Sequence, residues 1–357
     1  MRLARAVALI CALALDVACG TASAPGNRGA LSTPSPSVQV SPASSPSPSL
    51  VASTFQIVQA GTLGRVAYSA VLGANSYVWF TSNAHSIFEW SVMGAGSEHP
   101  VPAGGADPAS VTEGPDGAVW FTAGSAVGRV ALNGEAKVFP ATDGQPSAGI
   151  ATGADGALWY TELGRDRIAR ISTTGKLTEF SLPPAPQEVQ CGGWCPEAIV
   201  SGPDGALWFT ESQLAAGSGI GRITTTGEVT HWRVPNVAPN SIASSPDGSI
   251  WFGEDRAAQL GRITSTGDAT ELAISGDGYG TRAVAVGQGL VWFSVMPGPI
   301  DGSGPGRVGV LLIGSRTPTY YDVPGSAVIT QILPLSNGGA MLIDFNGKVF
   351  EANPTNY

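Results

Sequence analysis

A short phrase repeated about every 40 residues constrains this chain more than anything else in it. A tryptophan followed by an aromatic residue stands at Trp79-Phe80, Trp120-Phe121, Trp159-Tyr160, Trp208-Phe209, Trp251-Phe252 and Trp292-Phe293, with a degraded copy at Met341-Leu342. The intervals are 41, 39, 49, 43, 41 and 49 residues. A turn precedes each pair: Asp116-Gly117, Asp155-Gly156, Asp204-Gly205 and Asp247-Gly248, loosening to Asn75-Ser76, Gln288-Gly289 and Asn337-Gly338. A second strand follows, as in Gly128-Arg129-Val130 or Gly221-Arg222-Ile223. Gly supplies the positive φ that the turn needs, and Leu, Trp, Phe and Thr suit a pleated strand. The unit is a β-hairpin, and roughly 40 residues hold four short strands, the size of a propeller blade. Seven copies predict an all-β, seven-bladed β-propeller with four antiparallel strands per blade.

Ring closure is written in the two ends. The last repeat stops soon after Lys348-Val349-Phe350, one strand short, while Phe55-Gln56-Ile57-Val58 precedes the first blade with a matching pattern. The N-terminal strand is therefore expected to complete the seventh blade, leaving no long open edge. A C-terminal strand at Asn353 to Tyr357 competes, but Pro354 disfavours it.

Ahead of the repeats, residues 1–19 carry Arg2 and Arg5, then an apolar run from Ala6 to Leu15, and end on Cys19-Gly20. The pattern is an export signal, and Cys19 resembles the lipidated cysteine of a bacterial lipoprotein. Asp16 departs from that pattern, and a plain secretory signal cut after Ala22 or Ala24 is the other reading. Residues 20–53 are Ser, Pro, Ala and Thr with almost no charge, a tether that cannot bury enough to fold. The globular part is residues 54–357. It is expected to sit outside the cytoplasm, either on the membrane through the lipid alone or secreted, and to be a monomer. The formal charge of −9 without Lys or Arg clusters argues against nucleic acid as a partner.

Cys11 lies in the signal, so the folded part has only Cys191 and Cys195, around Gly192-Gly193-Trp194. In an exported protein a disulfide between them is expected.

Hairpin symmetry points to a site. The turn centre lies four residues before each Trp, so the residue eleven before it should face the residue three after it. These pairs would ring one mouth of the central channel: Tyr68 with Ser82, Ala109 with Ala123, Ala148 with Glu162, Glu197 with Glu211 and Asn240 with Glu254. The ring continues with Thr281 and Val295 (Arg282 if the shortened turn removes a residue) and Thr330 with Asp344. Acids gather there. They either solvate a water-filled mouth or contact a ligand, since propellers bind at such mouths.

The phrases GPDGALWFTES, GALWYTEL, IGRITTTGEVTHW and ISTTGKLTEFSLP resemble the streptogramin lyases, the virginiamycin B lyase family, over about 300 residues from Phe55 onward. That resemblance implies a seven-bladed propeller which opens a cyclic depsipeptide antibiotic by elimination across its ester, using magnesium. It also implies a catalytic Tyr in the first blade, matched by Tyr68, and an acid in the seventh, matched in type by Asp344. The family's two histidines fall on Thr281 or Arg282 and on Thr330. Its second metal carboxylate falls on Val328. Such an elimination needs a group that exchanges protons near neutral pH, which Thr cannot do. One carboxylate alone makes a poor magnesium site. The histidines present are His85, in a loop on the funnel side, and His99 and His231, expected at the surface. The sequence thus predicts a propeller holding a small, peptide-like or carbohydrate-like ligand among Tyr68, Glu197, Asn240, Glu254, Arg282, Thr330 and Asp344. No cofactor is expected, or magnesium if an active carbon–oxygen lyase persists.

Overall fold

The computed structural model describes residues 54–94, 96–102, 106–140, 149–163, 166–184, 195–211, 218–234, 238–254, 259–274, 280–296 and 306–355. They form seven four-stranded antiparallel sheets, each built from consecutive strands except the last. In the fourth blade the strands are Pro196–Ser201 (innermost), Leu207–Glu211, Gly219–Ile223 and Val229–Arg233 (outermost). The seventh blade uses Ile329–Pro334, Ala340–Asp344 and Lys348–Pro354, and its outer strand is Phe55–Thr62 from the other end of the domain. That strand pairs Phe55 with Pro354 and Ile57 with Ala352, closing the ring as expected and running four residues further than Val58.

Each blade interface has its own apolar cluster, made by the repeated pair. Trp79 packs on Val111, Val119 and Phe121 of the second blade, and Trp159 on Leu207 and Phe209 of the fourth. Trp292 meets Leu342 and Phe350 of the seventh, and Met341 meets Val78 and Phe80 of the first. The Trp of one blade thus faces the second pair member of the next. Alternation along a strand sends the two members to opposite faces, so one dipeptide serves two interfaces. The third strand makes room for the aromatic ring: a Cβ on Gly221 would lie 2.1 Å from the Phe209 ring.

In the second, third and fourth blades the turn aspartate ties the unit together. Asp204 Oδ1 accepts from Trp208 Nε1 at 3.1 Å, and its Oδ2 accepts from Arg222 Nε at 2.7 Å. Asp116 and Asp155 repeat this with Trp120 and Arg129 and with Trp159 and Arg170. Register puts each Arg directly opposite its Trp. Burial pushes these carboxyls up, but the Trp and Arg hydrogen bonds outweigh it and hold them below the ordinary range.

Candidate mouth site

The first strands of the blades start at one end of the ring, and there the simple hairpin register fails. Glu211 lies opposite Pro196, Glu254 opposite Pro239 and Asp344 opposite Ile329, not opposite Glu197, Asn240 and Thr330. Each inner strand carries one extra residue there, a β-bulge. Hydroxyls of the second strand hold it: Thr210 Oγ1 accepts from Ala198 N at 3.0 Å, and Thr122 Oγ1 from Ser110 N at 3.2 Å. Thr81 and Thr161 also reach across the interface, donating to the carbonyls of Ala109 at 3.1 Å and Glu197 at 2.7 Å. This buried hydroxyl ring was legible in the sequence, because Thr follows the aromatic pair in four of the copies.

The bulge sorts the predicted residues into two sets. The residue twelve before the Trp is buried in each case: Ala67, Pro108, Pro196, Pro239 and, in the seventh frame, Ile329. The residue after it is half-buried and lines the mouth: Tyr68, Ala109, Glu197, Asn240 and Thr330. In the sixth blade Gln288 and Gly289, with φ of 50° and 77°, form a two-residue loop, one residue shorter than the Pro203-Asp204-Gly205 turn. The frame therefore moves by one. Arg282 takes the mouth position and Thr281 the buried one. Ala148 lies outside the described residues.

The acids three residues after the Trp do not line the mouth. Glu162, Glu211, Glu254 and Asp344 are fully buried within their blades. Arg167 Nε lies 2.7 Å from Glu162, and His231 Nδ1 lies 2.5 Å from Glu211. His231 is therefore the partner of a buried acid rather than a surface residue. His99 also departs from expectation: it stacks on Trp79 from the outer strand Gly96–Pro100 with ring centroids 5.1 Å apart. Asp344 accepts from the backbone amides of Ala327 (2.9 Å), Asn346 (2.9 Å) and Lys348 (2.8 Å), so both its oxygens bind the corner of the seventh blade. Thr281 is spent similarly: its Oγ1 accepts from Glu254 N at 2.8 Å and its amide donates to Glu254 O at 2.8 Å.

A magnesium ion does not fit the position that the resemblance implies. Val328 supplies no donor, and the Asp344 carboxylate is already engaged by three amides. Among the described residues no group of three or more His, Cys, Asp or Glu comes together to hold a metal. Between the neighbouring first and second blades, His85 Nδ1 lies 3.1 Å from Asp107 Oδ1, with 60% of the His85 side chain exposed. Burial and then the Asp107 charge push the Tyr68 hydroxyl above its ordinary range. Asp107 stands two residues before Ala109, the place Val328 holds in the seventh blade, and nothing in the sequence singled it out. Cys195 is disulfide-bonded, while Cys191 lies outside the described residues.

With the fold and mouth in place, comparison with known proteins decides the family. The family model of the virginiamycin B lyases matches residues 53–327. This chain belongs to that family. Among solved structures, a streptogramin B lyase is 26% identical with a TM-score of 0.71, covering 84% of this chain and 98% of its own. The selenomethionine-substituted virginiamycin B lyase from Staphylococcus aureus is 27% identical with the same TM-score, over 84% of this chain and 99% of that one. A catalytically inactive histidine-to-alanine variant of the S. aureus enzyme, solved with quinupristin, is 28% identical over the same shares, again at 0.71. No curated protein matches the chain.

Proposed function

We propose that residues 54–357 are a ligand-binding propeller of the virginiamycin B lyase family that has given up the family's elimination chemistry. The ligand would be small and peptide-like or carbohydrate-like, held at the funnel by Tyr68, Glu197, Asn240, Arg282 and Thr330. The export signal, Cys19 and the tether of residues 20–53 support a head carried outside the cytoplasm, on the membrane through a lipid or released. One observation carries the reading. The groups standing at the lyase-like positions of the last two blades do not suit that chemistry: Arg282 and Thr330 exchange no proton near neutral pH, and Asp344 is bound up in three amides. The S. aureus variant that loses a histidine is catalytically inactive, and here Arg282 and Thr330 occupy the mouth of these blades. Removing a positioned general acid or base costs on the order of a hundred- to ten-thousand-fold in rate.

Calorimetric titration with quinupristin, with product analysis after incubation in magnesium, tests this. Saturable binding without a linear product is expected. Robust magnesium-dependent opening of the ring would refute it.

A second reading, an active carbon–oxygen lyase with a rearranged site, draws on the His85–Asp107 pair beside Tyr68. A carboxylate on Nδ1 orients an imidazole and leaves Nε2 to exchange a proton. On that reading His85→Ala would abolish turnover that His99→Ala leaves intact.

A further inference from the structure

The fifth blade breaks a pattern that its neighbours keep. In the third blade a polar row crosses the sheet outward from the mouth end. Arg167 lies between Glu162 and Glu179, with its Nε 2.7 Å from Glu162 Oε2 and its Nη1 donating to Glu179 Oε2 at 2.9 Å. In the fourth blade Gly219 replaces the arginine, and Glu211 reaches His231 on the outer strand instead. In the seventh, Asp344 is satisfied by amides. The fifth blade has Glu254, Gln259 and Glu271 in this row, set by pairing of Gly253 with Leu260 and of Gly261 with Glu271. Both carboxyls are kept, and the cation between them has become a shorter, uncharged amide.

Glu254 is fully buried, and neither carboxyl oxygen has a hydrogen-bond partner. An uncompensated buried carboxylate is strongly disfavoured. It must hold a proton or be met by a positive charge.

We propose that Glu254, Gln259 and Glu271 form a site for a divalent cation of the calcium class, standing where the Arg167 guanidinium stands in the third blade. Two carboxylates and an amide oxygen are hard donors on three separate strands, and calcium tolerates such irregular oxygen sets completed by water better than magnesium does. Glu271 is exposed and gives the ion a way in from solvent. So few protein donors place the affinity in the weak range, with a Kd on the order of 0.1–1 mM.

The test is calorimetric titration of the chelator-treated protein with calcium chloride at pH 8. Saturable one-to-one binding is expected, with a Kd on the order of 0.1–1 mM. Glu254→Gln and Glu271→Gln should each abolish it. Glu271→Gln changes an exposed residue and leaves folding intact, so a misfolded first variant does not blunt the test. Absence of saturable heat at pH 8, or binding unchanged in Glu271→Gln, would overturn the site and leave Glu254 holding only a proton.

Discussion

The two ends of each blade obey different rules. At the turn end the same clamp recurs: Asp116, Asp155 and Asp204 each hold a Trp indole and an Arg guanidinium in nearly the same geometry. At the mouth end the residue three after the Trp is Ser82, Ala123, Glu162, Glu211, Glu254, Val295 or Asp344, and the acids among them are satisfied differently. Packing requires the turn end to repeat, because six blades bury a Trp, and the seventh Met341, against the same kind of neighbour. The mouth end is free of that demand, so individuality collects there. Searching for function among the repeated residues would find only architecture.

The two ends can be perturbed separately. The largest effect is expected at ring closure. Deleting residues through Thr62 removes the outer strand of the seventh blade and exposes its edge, and cooperative thermal unfolding should be lost, whereas deletion through Ser49 should leave the melting temperature unchanged. Equal melting temperatures would contradict the closure. The clamp comes next. Asp204→Ala strips the Trp208 indole and Arg222 of their shared acceptor and should destabilise by about 2–4 kcal/mol in denaturant titration. Its acid limb follows from the lowered carboxyl: stability from Asp204 is full above the unfolded value near 3.9 and fades as pH falls through the still lower folded value.

Glu254 should behave in the opposite sense. Its folded value, about 7, lies above the unfolded one, so its contribution is fully present below about pH 4.3 and is lost as pH rises to about 7. Without calcium, Glu254→Gln should therefore raise stability at pH 8 by about 1–3 kcal/mol and flatten the melting profile between pH 5 and 7. A variant less stable than wild type at pH 8 would show that the carboxylate is compensated. Smallest of all, Arg282→Ala on the half-buried mouth should change stability by no more than about 0.5 kcal/mol while weakening ligand binding.

The ring was legible because its signal is periodic. Seven aromatic-pair frames gave the blade count, and the missing last strand gave the closure at Phe55. The mouth was legible only in part. Counting from each turn found the half-buried Tyr68, Glu197, Asn240 and Thr330, but placed Glu211, Glu254 and Asp344 opposite the wrong residues, since a bulge adds a residue without changing any sequence pattern. Arg282 or Thr281 stayed open until the positive φ of Gln288 showed the shorter turn. Asp107 was invisible, because its partner His85 comes from a different blade.

We propose that the family scaffold survives here without its elimination chemistry. The most direct measurement is single-turnover incubation of the folded head with quinupristin and magnesium, following the linear product by mass spectrometry. On that proposal the cyclic ligand stays bound and intact. Linear product, accumulating in wild type and lost in His85→Ala, would contradict it and make the His85–Asp107 side of the mouth an active site.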